Sequence, residues 1–305
     1  MNRHTSCTML CLCLAATMAF HPAIAGAKPA TKAHGASLLR TPGGTDRAEM
    51  QTMQIASHGA LMNALVYVAA GAGPHPAVIL LHGFPGNERN LDLAQDMRRA
   101  GWDVLYFNYR GSWGTPGDFS FTHGIEDTAA ALAYLRRPDV AKSLRLDPTR
   151  IVLIGHSMGG FMSVEGPAAD PAVKAFATIS AADLGGRMKQ MLATPDAIAK
   201  VAAALAAEGM APLAGCTPQG LANDLVQHVA TWPFADEVDA LKNRTALIVT
   251  SDDGLADENN RFAAALRKAG DSHVTTAHLP TDHSYSDRRI ELSRAVLKWL
   301  AALPR

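Results

Sequence analysis

A serine between two glycines is the first feature of the sequence that could do chemistry. Residues 155–159 read Gly-His-Ser-Met-Gly, a G-x-S-x-G pattern centred on Ser157. A serine hydroxyl is a weak nucleophile, so it must be held clear of the backbone on a tight turn and must face a base. The apolar run Arg150–Ile154 precedes the pattern and a helical pattern follows it. Because strand, turn and helix is the context that such a turn requires, the sequence predicts Ser157 as a nucleophile.

A second segment could stabilise negative charge. The sequence His-Gly-Phe-Pro-Gly at residues 82–86 directly follows the strand-like run Pro76–Leu81. Acyl transfer to a serine places negative charge on the former carbonyl oxygen, and two backbone N–H groups aimed at that oxygen stabilise it. Met158 begins a helix and Phe84 follows a glycine, whereas Pro85 has no N–H group. We therefore predict an oxyanion hole formed by the N–H groups of Phe84 and Met158.

Two aspartates compete for the role of the acid that orients the base. Asp252 and Asp253 come directly after the apolar run Thr245–Thr250. A carboxylate in that position lies at the sheet edge where α/β proteins place their sites. The sequence Gly-Leu-Ala that follows favours Asp253, because a small and then an apolar residue are expected in the turn after such an acid. Asp252 remains the alternative, and either carboxylate could simply cap the next helix.

The predicted base is His283. It lies in the segment 281–286, between the last strand-like run and the last helical pattern, where it can reach Ser157. By contrast, His278 falls within that run and His273 precedes it. The resulting chain order of serine, acid and histidine differs from the orders found in two other large serine-protease folds.

Strand-length apolar runs alternate with helical patterns along most of the chain, which predicts the scaffold for these residues. The strand-like runs are Leu61–Ala69, Pro76–Leu81, Asp103–Asn108, Arg150–Ile154, Ala175–Ser180, Thr245–Thr250 and Val274–Leu279. The helical patterns are Leu91–Ala100, Ile125–Arg136, Met158–Glu165, Asn259–Ala269 and Asp287–Leu303. Ala77–Leu81 and Ile151–Ile154 are apolar at every position, as in parallel strands that are covered by helices on both faces. The pattern predicts a doubly wound, mostly parallel α/β sheet.

One stretch, Ala181–Arg244, interrupts this alternation because it contains no good strand pattern. Thr194-Pro195 and Thr217-Pro218 both resemble helix starts, in which a capping hydroxyl precedes a proline. We predict a helical insertion over one end of the sheet that acts as a lid on the acyl or alcohol pocket.

The first 25 residues have the pattern of a secretory signal peptide. A short positive head is followed by the apolar run Met9–Phe20 and by the A-x-A site Ala23–Ala25. The run is shorter than the ~20 residues that a membrane-spanning helix needs, so export to the periplasm or the medium is favoured over a retained anchor.

Residues 26–48 are predicted to be flexible and residues 49–305 to form the catalytic domain. Lys plus Arg and Asp plus Glu both number 28, and no basic stripe indicates a nucleic-acid partner.

Taken together, the four motifs resemble the α/β-hydrolase family over Gln51–Leu303. Residues 106–117 are also similar to the segment after the fourth strand in bacterial acyl hydrolases and prolyl-oligopeptidase-like enzymes. The resemblance implies a Ser-His-Asp acyl-enzyme mechanism without a metal ion or an organic cofactor. The chain departs from many lipases and carboxylesterases in having HGFPG in place of HGGG, and it departs from dienelactone hydrolases in having Ser157 in place of cysteine.

These features predict an exported serine hydrolase that cleaves a carboxylic ester or a similar acyl bond in a small molecule. The alternative enzyme is a serine peptidase or amidase of the prolyl-oligopeptidase-like type. The alternative of a different class is a binding protein that has the hydrolase fold but no catalytic activity.

The leader can be tested by N-terminal sequencing of protein recovered from the cell envelope or the medium. We expect the mature chain to begin near Gly26, or near Lys28 if Ala25-Gly26-Ala27 is the site that is cleaved. Precursor from the cytoplasm of the same cells provides the uncleaved reference. An exported chain that still carries residues 1–5 would contradict a signal peptide.

Overall fold

The computed structural model describes residues 46–304. The predicted signal peptide and residues 26–45 of the predicted flexible segment lie outside the described residues. The strands are β1 (Glu49–Ser57), β2 (Ala60–Val68), β3 (His75–Leu81), β4 (Asp103–Phe107), β5 (Leu146–His156), β6 (Ala175–Ile179), β7 (Thr245–Thr250) and β8 (Val274–His278). The helices are α1 (Leu91–Arg99), α2 (Phe121–Leu135), α3 (Pro138–Leu144), α4 (Met158–Ala169), α5 (Leu184–Met191), α6 (Ala197–Ala207), α7 (Pro218–Gln227), α8 (Val238–Leu241), α9 (Ala256–Lys268) and α10 (Arg289–Ala302). None of the helices within residues 46–304 has the length and apolar character that spanning a bilayer requires.

The strands form one sheet in the order β1-β2-β4-β3-β5-β6-β7-β8. The β1–β2 and β2–β4 pairs are antiparallel, and the pairs from β4 to β8 are parallel. This topology confirms the predicted doubly wound, mostly parallel sheet. From the neighbouring strands β3 and β5 the chain continues in opposite directions, so the crevice at their carboxyl ends is where such sheets bind ligands.

Both faces of the central strands are buried, which explains why Ala77–Leu81 and Ile151–Ile154 are apolar at every position. In β3, Val78 and Leu80 pack on one face with residues of α1 and α10. Ile79 and Leu81 pack on the opposite face with residues of α2, α4 and α9. Successive side chains of a strand point to opposite faces, so a strand covered on both sides needs apolar residues throughout.

Strand β1 and helix α3 were not predicted. Strand β1 is an edge strand in which only Ile55 and Ser57 are buried, and Met50 is exposed. Its sequence therefore lacks the continuous apolar run of the central strands. Helix α3 spans only seven residues, too few to show a clear helical period.

The region between β6 and β7 contains four helices, α5 to α8, where the sequence indicated two helix starts. The start at Thr217-Pro218 is confirmed, because the Thr217 hydroxyl accepts a hydrogen bond from the Gly220 N–H at 3.0 Å. The other start was placed too early. Helix α6 begins at Ala197, after an Asp196 that has left-handed backbone and no side-chain capping bond.

Part of this region belongs to the main core. Leu221 and Leu225 of α7 are buried in it, as are Trp232 and Phe234. Asp224 also caps helix α2, because its Oδ2 accepts hydrogen bonds from the N–H groups of Phe121 at 2.9 Å and Thr122 at 3.1 Å. Helix α7 therefore holds another helix in place and cannot open freely.

Helix α6 is packed differently. Ala197 at its first turn is its only buried residue, although the helix is rich in alanine and has no acidic residue within it. Within the 181–244 region, α6 is therefore largely exposed, although Ile198, Val201 and Leu205 still pack against the main core.

A matched pair of leucine variants tests this division. Leu225→Ala should lower the free energy of unfolding by about 2–4 kcal/mol, because it empties space in a packed core. Leu205→Ala in α6 should lower it by less than ~1 kcal/mol, because Leu205 is only partly buried. Urea unfolding followed by circular dichroism measures both values. Equal losses would show that α6 and α7 pack equally well.

Candidate active site

Ser157 lies on a sharp turn between β5, which ends at His156, and α4, which begins at Met158. Its backbone has φ 58° and ψ −121°, a conformation that L-residues rarely adopt. The surrounding backbone holds the turn in place. The Ser157 N–H donates to the Ile179 carbonyl at 2.9 Å, and the Ser157 carbonyl accepts from the Ala182 N–H at 3.1 Å. The end of β6 and the start of the next segment thus stabilise the turn.

The two glycines of the motif are required by close backbone contacts. A Cβ atom on Gly155 would lie 1.8 Å from the Gly159 carbonyl oxygen. A Cβ atom on Gly159 would lie 2.1 Å from the Leu81 carbonyl oxygen. No larger residue fits at either position unless the backbone moves, which explains why both are glycines.

Asp253 and His283 form a close pair beside Ser157. The His283 Nδ1 lies 2.7 Å from the Asp253 Oδ2, and the Asp253 side chain is only 4% exposed. The Leu255 N–H donates to the Asp253 Oδ1 at 2.9 Å. His283 and Ser157 line the same cavity. Hydrogen bonds between a nucleophile and its base often become short only when substrate is bound.

Buried hydroxyl groups support this carboxylate. The Ser180 Oγ lies 3.0 Å from the Ser251 Oγ and 2.8 Å from the Tyr285 Oη, and all three residues are fully buried. Burial by itself would raise the pKa of Asp253. Hydrogen bonds outweigh this effect and hold the pKa far below its usual range; their donors are His283, Ser180, the Leu255 N–H and Ser251. The carboxylate therefore stays ionised at neutral pH.

Asp252, the alternative acid, has a different partner. Its Oδ1 lies 3.2 Å from the Nε2 of His278, and its side chain is 64% exposed. The structure thus separates two Asp–His pairs, and the pair with the buried carboxylate, Asp253–His283, opens into the cavity with Ser157.

The predicted oxyanion donors, Phe84 and Met158, both line the cavity with Ser157. Met158 is the first residue of α4, so its N–H has no partner inside the helix. The loop after β3 passes close to the nucleophile, since a Cβ on Gly83 would lie 2.9 Å from the Ser157 Cβ.

His82 orients the peptide unit that carries the Phe84 N–H. Its Nδ1 donates to the Gly83 carbonyl oxygen at 2.8 Å. The C=O and N–H of a trans peptide point in opposite directions, so fixing the Gly83 carbonyl also fixes the Phe84 N–H. Burial lowers the pKa of His82 to about 4, which keeps the ring neutral. No sequence pattern assigned a role to this histidine.

The cavity has a volume of about 580 Å³ and mainly apolar walls. Helices α5 and α6 contribute Leu184, Met188, Met191, Val201, Ala204 and Leu205. The charged side chains of Arg187, Lys200 and Glu208, which are exposed, also line it. In residues 46–304, no cluster of three or more His, Cys, Asp or Glu side chains has the arrangement of a metal site.

The fold and this arrangement agree with what comparison finds. The sequence matches the model of the alpha/beta hydrolase family over residues 78–295, and the chain therefore belongs to the alpha/beta hydrolase family. No curated protein sequence matches the chain significantly.

Solved esterase structures share the fold. An esterase from Pyrococcus furiosus aligns with a TM-score of 0.59 and 18% identity over 83% of this chain and 91% of its own. Est1E from Butyrivibrio proteoclasticus aligns with a TM-score of 0.61 and 18% identity over 82% of this chain and 97% of its own. A hyperthermophilic esterase from the archaeon Pyrobaculum calidifontis aligns with a TM-score of 0.59 and 23% identity over 83% of this chain and 84% of its own. At these identities the likeness establishes a common fold.

The two Asp–His pairs allow a direct test of the acid. Asp253→Asn should lower kcat by about 10⁴, because an amide at this position favours the wrong imidazole tautomer. Asp252→Asn removes the same charge from the neighbouring residue and should lower kcat by less than about tenfold, as for a change on the surface. Steady-state hydrolysis of a p-nitrophenyl ester measures both. The opposite ranking would assign the acid to Asp252.

Proposed function

We propose that the chain is a serine esterase that hydrolyses carboxylic esters of small molecules through an acyl-enzyme. The observation that carries this proposal is the Asp253–His283 pair, in which the buried carboxylate oxygen Oδ2 lies 2.7 Å from the His283 Nδ1. Both residues line the same cavity as Ser157 on its strained turn. The esterases among the solved structures that share this fold add support.

In the first half of the reaction, the Ser157 Oγ attacks the ester carbonyl carbon and the His283 Nε2 accepts the hydroxyl proton. The carbonyl π electrons move to the oxygen, which accepts hydrogen bonds from the Phe84 and Met158 N–H groups. Asp253 keeps the Nδ1 of the imidazole protonated and stabilises the imidazolium. The C–O bond then breaks, and His283 gives its proton to the departing alcohol.

In the second half, water replaces the alcohol. His283 takes a proton from this water, whose oxygen attacks the acyl carbon, and the oxyanion forms again in the same place. The bond to the Ser157 Oγ breaks and the serine regains a proton from His283. The products are a carboxylic acid and the free enzyme, so the cycle needs only water besides the ester.

The cavity favours an ester with an apolar acyl or alcohol group. Its volume of about 580 Å³ lies in the range of small-molecule pockets, and its apolar lining excludes water from part of the substrate. Helix α6 forms one wall of the cavity with Val201, Ala204 and Leu205. We further propose that α6 acts as the lid over this pocket.

We also propose that the enzyme works outside the cytoplasm. The support for this is the leader pattern at residues 1–25, with its positive head, apolar run and A-x-A site.

Replacement of the nucleophile tests the proposed activity. Ser157→Ala should lower kcat for p-nitrophenyl esters by about 10⁶ and abolish covalent labelling by a fluorophosphonate probe. Ser143→Ala, which removes an exposed hydroxyl from α3, is the matched control and should leave the rate unchanged. A folded Ser157→Ala enzyme that retained a tenth of the activity would exclude Ser157 as the nucleophile. An inactive wild-type protein that does not react with the probe would instead favour a binding function.

A further inference from the structure

His156 is a buried polar residue beside the site for which the reaction above has no role. It is the last residue of β5, directly before Ser157, and is only 3% exposed. Its Nε2 lies 2.8 Å from the backbone carbonyl oxygen of His283, 127 positions later in the chain. The two imidazole rings are also in contact, with centroids 4.6 Å apart and planes inclined by 41°.

The chemistry of this contact defines the state of the His156 ring. A carbonyl oxygen can only accept, so the Nε2 of His156 carries the hydrogen. The Nδ1 is buried without a hydrogen-bond partner, as expected of the unprotonated nitrogen of a neutral imidazole. Burial, followed by the proximity of His283, lowers the pKa of His156 to about 4. The ring is therefore a neutral donor at neutral pH.

His283 needs such support because it lies in a loop. The loop joins β8 to α10, and the contact of the His283 side chain with Asp253 restrains only the Nδ1 edge of the ring. Further along, the Tyr285 hydroxyl anchors the loop to Ser180 at 2.8 Å. The hydrogen bond from His156 fixes the backbone of His283 itself, and the His156 ring covers one side of the imidazole. A catalytic group must be held within ~0.5 Å of its productive position to work well.

We propose that His156 is a positioning residue that holds His283 in register with Ser157 through the Nε2–H···O=C hydrogen bond. This inference rests on the proposed function, in which His283 is the base and Ser157 the nucleophile. Because β5 carries both His156 and Ser157, the base is tied to the strand that presents the nucleophile. Movement of the loop then cannot separate the two without breaking this bond.

The neutral state of His156 matters for the same reaction. His283 becomes a cation when it accepts the serine proton, and a second positive charge 4.6 Å away would oppose that step. A neutral ring at residue 156 supplies a donor and a packing surface without this repulsion.

Two substitutions separate the hydrogen bond from the packing. His156→Phe keeps a flat ring of similar size but removes the donor. His156→Gln removes the ring but places an amide N–H near the position of the Nε2.

We expect His156→Phe to lower kcat by about 10²-fold, since a displacement of ~1 Å in a catalytic group has an effect of that size. KM should stay within about threefold of wild type, because the pocket walls are unchanged. His156→Gln should recover kcat to within about fivefold of wild type. Steady-state kinetics on a p-nitrophenyl ester give both constants.

A second background shows whether His156 acts through His283. Residues that act as a unit have non-additive effects, so His156→Phe should change the residual rate of a His283→Ala enzyme by less than about twofold. His278→Gln, in the surface pair with Asp252, is the control for loss of a histidine near the site and should leave kcat unchanged.

Thermal unfolding of every variant checks that the protein is folded. If His156→Phe does not fold, the pair His156→Gln and His156→Asn replaces it, because the shorter asparagine does not reach the His283 carbonyl and should lose activity.

Equal losses in the Phe and Gln variants, or in the Gln and Asn variants, would overturn the inference. A full loss from His156→Phe in the His283→Ala background would do the same. These outcomes differ from failure of the proposed function, in which wild-type activity would not depend on Ser157 at all.

Discussion

The backbone at Ser157 is the constraint on which the rest of the site depends. A non-glycine residue at φ 58° costs about 1–3 kcal/mol and persists only where the neighbouring structure holds it. That structure consists of the end of β6, which accepts from the Ser157 N–H, and of Ala182, which donates to its carbonyl. Strand β5, helix α4, strand β6 and the region after β6 therefore meet at one residue. The position of Ser157 in the wall of the cavity is a result of this convergence.

Differences in burial assign different roles to similar side chains around this turn. His82 and His156 are almost fully buried and stay neutral, so each can act as a fixed donor to a backbone carbonyl. The side chain of His283 is 40% exposed and is paired with a buried carboxylate, so it can accept a proton and pass it on. Three histidines thus lie near one serine, and only the one that opens into the cavity has a carboxylate partner.

The region between β6 and β7 combines two mechanical roles. Helix α7 is bound to the core through its buried leucines and through Asp224 at the start of α2. Helix α6 contributes apolar residues to the cavity wall but buries little of itself. The α6 wall is therefore the less buried side of the pocket, whereas α7 belongs to the packed core.

The sequence by itself determined the features that depend on neighbouring residues. The G-x-S-x-G turn, the alternation of buried strands with helices and the doubly wound sheet all follow from local patterns, because a turn or an amphipathic face is encoded over a few positions. Strand β1 was missed since an edge strand buries little and shows no apolar run.

The preference for Asp253 rested on the three residues after it, whereas the tertiary structure decided that Asp253 is buried against His283 and that Asp252 faces His278. Only the tertiary structure revealed the contacts of His156 and of the Ser180–Tyr285 pair, which join positions 127 and 105 residues apart. These contacts form because packing of the sheet brings the ends of distant loops together. A pattern within a short window of sequence cannot predict which distant residues will meet.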